Sequence, residues 1–208
     1  MCDKYIRREC PSDRIRWICR ELAVSEELPN KMLTGKQQGV LRGMVAGVVV
    51  TLLALGLAIG VHPTALTPEV GYAAALAHAL KWDVLLVVSL TVNIGLLARH
   101  RFFTPEDIDG GGLTKGTPQA QVLQSTLQNT LEQTVLGLSI HIVWAVAMPQ
   151  SWQAAVPAAA ILFFVGRVLF WRGYVHGASA RALGFALTFY PSVAMVLLVA
   201  GHLLWALL

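Results

Sequence analysis

Five long apolar stretches, separated by short polar segments, dominate the chain from residue 39 onward. Gly43 to Val61 is 19 residues without a charged side chain, and Ala182 to Leu208 is 27. Helical runs of this length can cross roughly 30 Å of hydrocarbon at about 1.5 Å per residue. The pattern predicts five membrane spans, at about 39–61, 83–98, 121–147, 153–172 and 182–207.

The second predicted span is the weakest of the five. Its apolar run, from Val84 to Ala98, is short and contains Asn93. The preceding residues, 62–82, are mildly apolar and include two prolines. They predict an outer connection, which could contain a re-entrant or interfacial helix.

The composition agrees with a membrane protein. Hydrophobic residues make up 55% of the chain and charged residues 13%, whereas soluble domains are about 25% charged. Pattern and composition together predict an all-α integral membrane protein.

Basic residues are concentrated near the N-terminus, and the net charge of the chain is +4. A basic segment could bind nucleic acid, but beside a first membrane span we interpret it as a positive-inside signal. Residues 1–38 are therefore predicted to be a basic cytoplasmic arm without nucleic-acid binding, in which a short helix could run from about Asp13 to Leu22. The basic edges of loops 99–118 and 172–181 place them on the same side, so the C-terminus is predicted to lie outside.

Neither the cysteines nor the histidines show metal-site spacing. The three cysteines lie within the first 19 residues, eight and nine positions apart, which matches no zinc or redox motif. The six histidines are scattered without a His-x-x-x-His cluster. We therefore predict no metal cofactor.

Polar side chains form a stripe on the third predicted span. Gln121, Ser125, Gln128 and Glu132 follow one another at intervals of four, three and four residues, and Asn129 flanks them. Such spacing places side chains on one face of a helix. Polar groups inside a bilayer are costly unless they face protein or water, so this face is predicted to be shielded from lipid.

The fourth predicted span carries a second polar pattern. Arg167, Tyr174 and Arg181 are seven residues apart, close to two helical turns. Two glycines before Arg181 leave open whether one helix extends that far. Two interpretations are also open for the charges: a buried ion pair between Glu132 and Arg167 that joins two helices, or a polar cavity that binds an anionic ligand.

Three motifs resemble those of the MAPEG family, the membrane-associated proteins of eicosanoid and glutathione metabolism, which include microsomal glutathione transferases. They are "ARHRFFTPED" at 98–107, "QNTLE" at 128–132 and "GRVLFWRGYVHGASAR" at 166–181. The resemblance implies a four-helix transmembrane domain at 83–208. Residues 39–82 would then be an extra transmembrane helix with its outer connection.

The resemblance also implies a ligand and an assembly. Family members bind glutathione between the subunits of a homotrimer. The positions that would hold its charged and amide groups here are Asn129, Glu132, Arg167 and Tyr174, with Gln128 beside them.

A catalytic residue is implied in the same way. Arg181 matches the family arginine associated with the thiol, where a guanidinium favours the nucleophilic thiolate. Arg99 or Arg101 could take the place of a second basic residue that follows the first family helix.

The chain departs from the family pattern at three positions. Ser125 stands where familiar members have an arginine, Gln133 where leukotriene-type members often have a tyrosine, and Phe170 where others have a tyrosine. One glutathione carboxylate is therefore expected to be held less well.

These patterns favour an enzyme of the microsomal glutathione S-transferase type, which would conjugate glutathione to a lipophilic electrophile or reduce a lipid hydroperoxide. We place it in a bacterial inner membrane rather than the endoplasmic reticulum. The alternative is a non-catalytic membrane scaffold or small-molecule binder of the same fold. A small transporter is disfavoured because the chain shows no inverted repeat.

Overall fold

A computed structural model describes residues 33–61 and 63–208. In this part of the chain all regular structure is helical, and Gly35–Leu208 form a compact unit. The short helix predicted near Leu22 and the three cysteines lie outside the described residues. The longer helices are α1 (Gly35–Val61), α2 (Tyr72–Trp82), α3 (Val84–Phe103), α4 (Pro118–Ala147), α5 (Ala155–Tyr174) and α6 (Ala178–Ala206).

Five helical segments are long and apolar enough to cross a membrane, which confirms the predicted fold class. The second segment joins α2 and α3, and the fourth begins with a short 3-10 turn at Gln150–Trp152. Segments that follow one another in the chain run in opposite directions. The end that carries residues 104–117 also holds the start of α1 and the α5–α6 turn, and we call it the loop end.

A helix, α3, begins at Val84, next to the predicted start of the second span at about residue 83, but it follows α2 directly. The amide of Asp83 donates to Ala79 O at 2.9 Å and its carbonyl accepts from Val87 N at 3.0 Å, so the helix continues from α2 into α3. The predicted span rests on the apolar run from Val84 to Ala98, which directly follows the charged side chain of Asp83. In the structure the carboxylate of Asp83 is buried against His141, so the helical backbone can continue through this position.

The first helix begins four residues before the predicted residue 39 and packs along α6. A Cβ atom added to Gly43 would lie 2.8 Å from Ala182 Cβ and 2.9 Å from Leu183 N, so the two backbones approach closely. Ser179 Oγ also donates to Lys36 O at 3.0 Å and joins the first turns of α1 and α6. Close approach through small residues is typical of helix pairs in membranes.

The fourth and fifth spans, α5 and α6, form an antiparallel pair. Gly177 has a φ of +99°, a left-handed conformation that glycine adopts without strain, and it separates the two helices. The question left open by the sequence is therefore answered: Arg181 lies in the first turn of α6, and not on the helix that carries Arg167.

The main hydrophobic core lies toward the end opposite the loop end. Trp144 and Met195 are its largest fully buried members, and the indole Nε1 of Trp144 donates to Trp152 O at 3.1 Å. Leu55 of α1 and Ala79 of α2 belong to the same core. The loop-end half of the bundle is less filled, which leaves room for a cavity.

Candidate functional site

A cavity of about 780 Å³ opens at the loop-end half of the bundle, between α1, α4, α5 and α6. We call it the main cavity. One side is polar and comes mostly from α4, and the other is apolar and aromatic. The lining residues are Val40, Met44, Gln124, Ser125, Gln128, Asn129, Glu132, Phe170, Tyr174, Ala178, Arg181, Ala182, Phe185 and Tyr190.

The polar side follows from the helical spacing on α4. Gln128 and Glu132 are one turn apart, and Gln128 Nε2 donates to Glu132 Oε1 at 2.9 Å. Both side chains are exposed in the single chain, and Asn129 is partly exposed. The carboxylate of Glu132 is therefore accessible to a ligand and can accept hydrogen bonds from a cation.

Arg167 lies behind this polar side and is almost fully buried, with 4% of its surface exposed. Its Nη1 donates to Asn129 Oδ1 at 2.9 Å, and its Nη2 donates to Thr188 Oγ1 at 2.6 Å. The guanidinium also lies over the ring of Phe170, with Cζ 4.5 Å from the ring centroid. Arg167, which belongs to α5, thus links this helix to α4 and α6.

This arrangement differs from the buried ion pair considered for Glu132 and Arg167. Within the described residues Glu132 is bonded to Gln128, while Arg167 is bonded to neutral oxygen atoms. Because Asn129 Oδ1 accepts from Arg167, the Nδ2 amide group is the part of Asn129 that remains for a ligand. That group is a donor suited to a carboxylate.

Arg181 and Tyr174 meet although they belong to different helices. The Arg181 guanidinium lies over the Tyr174 ring, with Cζ 4.4 Å from the ring centroid, in cation–π geometry. Phe170 packs edge-to-face with this tyrosine, with ring centroids 5.5 Å apart. The aromatic pair therefore orients the arginine at the cavity.

The two arginines considered after the first family helix have different environments. Arg101 Nη2 donates to Gln124 Oε1 at 3.0 Å and lines a second, smaller cavity of about 330 Å³. Gln124 and Ser125 line both cavities. Arg99 is exposed and lines neither cavity.

Ser125 contributes little to the polar side. Its hydroxyl donates to Gln121 O at 2.8 Å within α4, so its proton is already used in the helix. Gln133 is buried inside the bundle and does not line the main cavity, and Phe170 lines it without a hydroxyl group. Ser125 and Phe170 therefore leave fewer hydrogen-bond donors at the cavity than an arginine and a tyrosine would, while the departure at Gln133 does not affect it.

The loop that closes the smaller cavity is held by one carboxylate. Asp107 accepts hydrogen bonds from Thr117 Oγ1 at 2.6 Å, from Thr117 N at 2.7 Å and from His100 Nε2 at 2.9 Å. The hydrogen bonds from Thr117, and those from His100 after them, hold the pKa of Asp107 below its ordinary value. Thr117 is also the N-cap of α4, so the loop and the start of this helix are fixed together.

Two features were missed by the sequence analysis. Val40 and Met44 of α1 line the main cavity, although they look like ordinary lipid-facing residues. Asp83 and His141 form a buried pair, with 2.5 Å between Oδ1 and Nδ1. A histidine and an aspartate next to apolar runs were a visible signal, but their partnership spans 58 residues and needs the fold.

Five membrane-length helical segments define an integral multi-pass membrane protein, and four of its helices line a partly polar cavity. The family model described as "MAPEG family" matches residues 70–201, well over half of the chain. The chain belongs to this family of eicosanoid and glutathione metabolism. No curated protein and no solved structure matches it.

The family match covers only some of the helices described above. It includes α2, which lies before the predicted domain boundary at residue 83, and it leaves out α1. The helix that supplies Val40 and Met44 to the main cavity is therefore an addition to the part of the chain shared with the family.

Proposed function

We propose that the protein binds glutathione in the main cavity and conjugates it, through its sulfur, to a lipophilic electrophile, or uses it to reduce a lipid hydroperoxide. The observation that carries this proposal is the placement of Arg181 at one cavity with Asn129 and Glu132. These three groups offer a cation, an amide and an anion to one ligand.

The charges of the cavity suit the tripeptide. Glutathione has two carboxylates and one ammonium group, so the ammonium would lie against Glu132 and a carboxylate would accept from Asn129 Nδ2. Gln128 holds the Glu132 carboxylate through its hydrogen bond. Tyr174 offers a hydroxyl group and Arg167, behind Asn129, adds positive charge to this side.

Arg181 would act on the sulfur. A free thiol has a pKa near about 8.5, and a guanidinium beside it favours the thiolate, which is the nucleophile. In conjugation the thiolate forms a carbon–sulfur bond, and the displaced electron pair leaves with a leaving group or takes up a proton. In peroxidase chemistry two glutathione molecules and one hydroperoxide give a disulfide, an alcohol and water.

The proposal includes the assembly and the membrane orientation. A homotrimer would place a neighbouring subunit beside the main cavity, which is open in the single chain. The N-terminus would be cytoplasmic and the C-terminus outside, since the basic segments then lie on the cytoplasmic side. Glutathione would arrive from the cytoplasm and the lipophilic acceptor from the bilayer.

One observation favours the alternative of a non-catalytic scaffold or binder. The terminal nitrogens of Arg167 donate to protein groups and link three helices, which is a structural use of a buried charge. Under this alternative the cavity would bind a ligand without activating its thiol.

The test is thiolate formation on addition of glutathione to detergent-purified protein, followed by ultraviolet difference absorbance. We expect a thiolate signal in the wild type and its loss in Arg181→Ala, with kcat/KM toward a model electrophile reduced about 100-fold or more. Arg172→Ala is the matched control, because Arg172 is an exposed arginine at the same end of the bundle that does not line the cavity. Equal behaviour of the two variants would exclude the role of Arg181, and a wild type without a thiolate signal whose kinetics are unchanged by Arg181→Ala would rule out the enzyme.

A further inference from the structure

The added helix α1 forms part of the main cavity. Val40 and Met44 line it, whereas the family match begins only at residue 70. A helix that served only as a membrane anchor would not need to reach this cavity. The position of α1 therefore raises the question of what these two side chains contact.

The orientation of the two side chains is fixed by the glycines that precede them. Gly39 and Gly43 face α6, where an added Cβ on Gly39 would lie 2.5 Å from Ser179 Oγ. Val40 and Met44 each follow one of these glycines, so they are turned about 100° around the helix from the α6 contact. That direction is toward the cavity, and the hydrogen bond from Ser179 to Lys36 O holds the first turn in place.

The side of the cavity formed by α1 is chemically different from the side formed by α4. Val40 and Met44 supply only apolar atoms, while Gln128, Asn129 and Glu132 supply amides and a carboxylate. Met44 is 40% exposed in the single chain, and a thioether side chain adapts to apolar ligands of varied shape. A ligand that fills the cavity needs a polar part against α4 and an apolar part against α1.

We propose that α1 is a specificity-determining element, in which Val40 and Met44 contact the apolar part of the acceptor while α4, α5 and α6 hold the thiol. This inference rests on the proposed function. It names the substrate class as electrophiles with an extended alkyl or aromatic group. It also assigns the acceptor preference to a helix outside the family match.

S-alkylglutathiones of increasing chain length are suitable probes, since each carries the tripeptide and an apolar chain in one molecule. Their affinities would be measured by isothermal titration calorimetry on the full-length protein in detergent. In the wild type, affinity is expected to rise with chain length until the cavity is filled, by up to about fourfold for each buried methylene.

The variants change the size of residue 44. Met44→Trp fills the space and is expected to lower the affinity for S-decylglutathione by at least about tenfold, since several methylenes can no longer be buried in the cavity. Its affinity for S-methylglutathione should stay within about twofold of wild type, because the tripeptide site is on the other helices. Met44→Ala enlarges the space and should shift the best-bound chain to a greater length.

Val45→Trp and Val45→Ala are the matched controls. Val45 is the next residue on the same helix, is 55% exposed and does not line the cavity. If S-methylglutathione binds but the variants at 44 and 45 give the same chain-length profile, the inference about α1 is wrong and the proposed function stands. If S-methylglutathione does not bind to the wild type, the proposed function is wrong and the inference falls with it.

Discussion

The Arg181 guanidinium lies over the ring of Tyr174, with 4.4 Å between Cζ and the ring centroid, and the two residues come from helices on either side of a glycine break. The ring of Tyr174, at the end of α5, thus positions the guanidinium of Arg181, which belongs to α6. The ring and the hydroxyl of Tyr174 have separable roles, because only the ring contacts the guanidinium.

Substitutions at Tyr174 should separate these roles. Tyr174→Phe keeps the cation–π contact, so thiolate formation should be unchanged while the KM for glutathione rises. Tyr174→Leu removes the contact, worth about 0.5–1 kcal/mol at a partly exposed site, and should lower the thiolate fraction by a few-fold. The measurement is the thiolate absorbance of both variants at saturating glutathione. Equal thiolate fractions in the two variants would contradict a positioning role for the ring.

Arg167→Lys should destabilise the bundle. A lysine has one ammonium group and cannot donate to Asn129 and Thr188 as the planar guanidinium does. Leaving a buried polar group without its partner costs about 1–3 kcal/mol, so the unfolding free energy should fall by that amount. The measurement is the thermal or denaturant unfolding of the purified protein.

The control for this variant is Arg172→Lys, which exchanges the same residue types at an exposed position near the end of α5. It is expected to change the unfolding free energy by less than about 0.5 kcal/mol. If Arg167→Lys is as stable as this control, the linkage of three helices through Arg167 is not important for stability.

Gly43→Ile should separate α1 from α6. The added Cβ would meet Leu183 N at 2.9 Å, and a backbone atom cannot rotate away. Forcing extra volume into such a contact costs about 1–3 kcal/mol, which thermal unfolding would detect. Gly56→Ile is the matched control on the same helix, because an added Cβ there meets nothing within 4 Å. Equal unfolding of the two variants would show that α1 does not pack on α6 as described.

The loop held by Asp107 should become less protected in acid. The folded-state pKa of this carboxyl is depressed by Thr117 and His100, so its stabilisation is present above the ordinary value of 3.8 and is lost as the pH falls through the lower folded pKa. Hydrogen exchange of the Thr117 amide, which donates to Asp107, would measure the loss.

Asp107→Asn should abolish much of this protection at neutral pH as well, because an amide has one acceptor oxygen instead of two. Asp109→Asn is the control, since Asp109 is exposed on the same loop. A Thr117 amide that exchanges alike in both variants would contradict the role assigned to Asp107.

Much of the fold could be predicted from the sequence because hydrophobicity and helical period are local properties. The apolar runs gave the helices, and the spacing of Gln128 and Glu132 placed both on one face of α4. The helix break before Arg181 depends on the left-handed conformation of Gly177. The sequence shows the glycine but not its conformation.

The remaining features depend on which helices become neighbours. Arg167 donates to Thr188, a residue that no spacing rule connects with it. The glycines at 39 and 43 let α1 approach α6 closely, and only the structure identifies α6 as the neighbouring helix. Pairing between distant residues therefore limited the prediction of the site more than secondary structure did.

The buried pair of Asp83 and His141 also marks a depth in the membrane. Sixteen residues separate Asp83 from Arg99 on the continuous helix, a rise of about 24 Å against a hydrocarbon thickness of roughly 30 Å. A hydrocarbon boundary at Arg99 would therefore place the pair near the opposite boundary. With that boundary, the eleven residues of α2 would extend beyond the lipid tails into the headgroup region, and the protein would have a helical rim there instead of a loop.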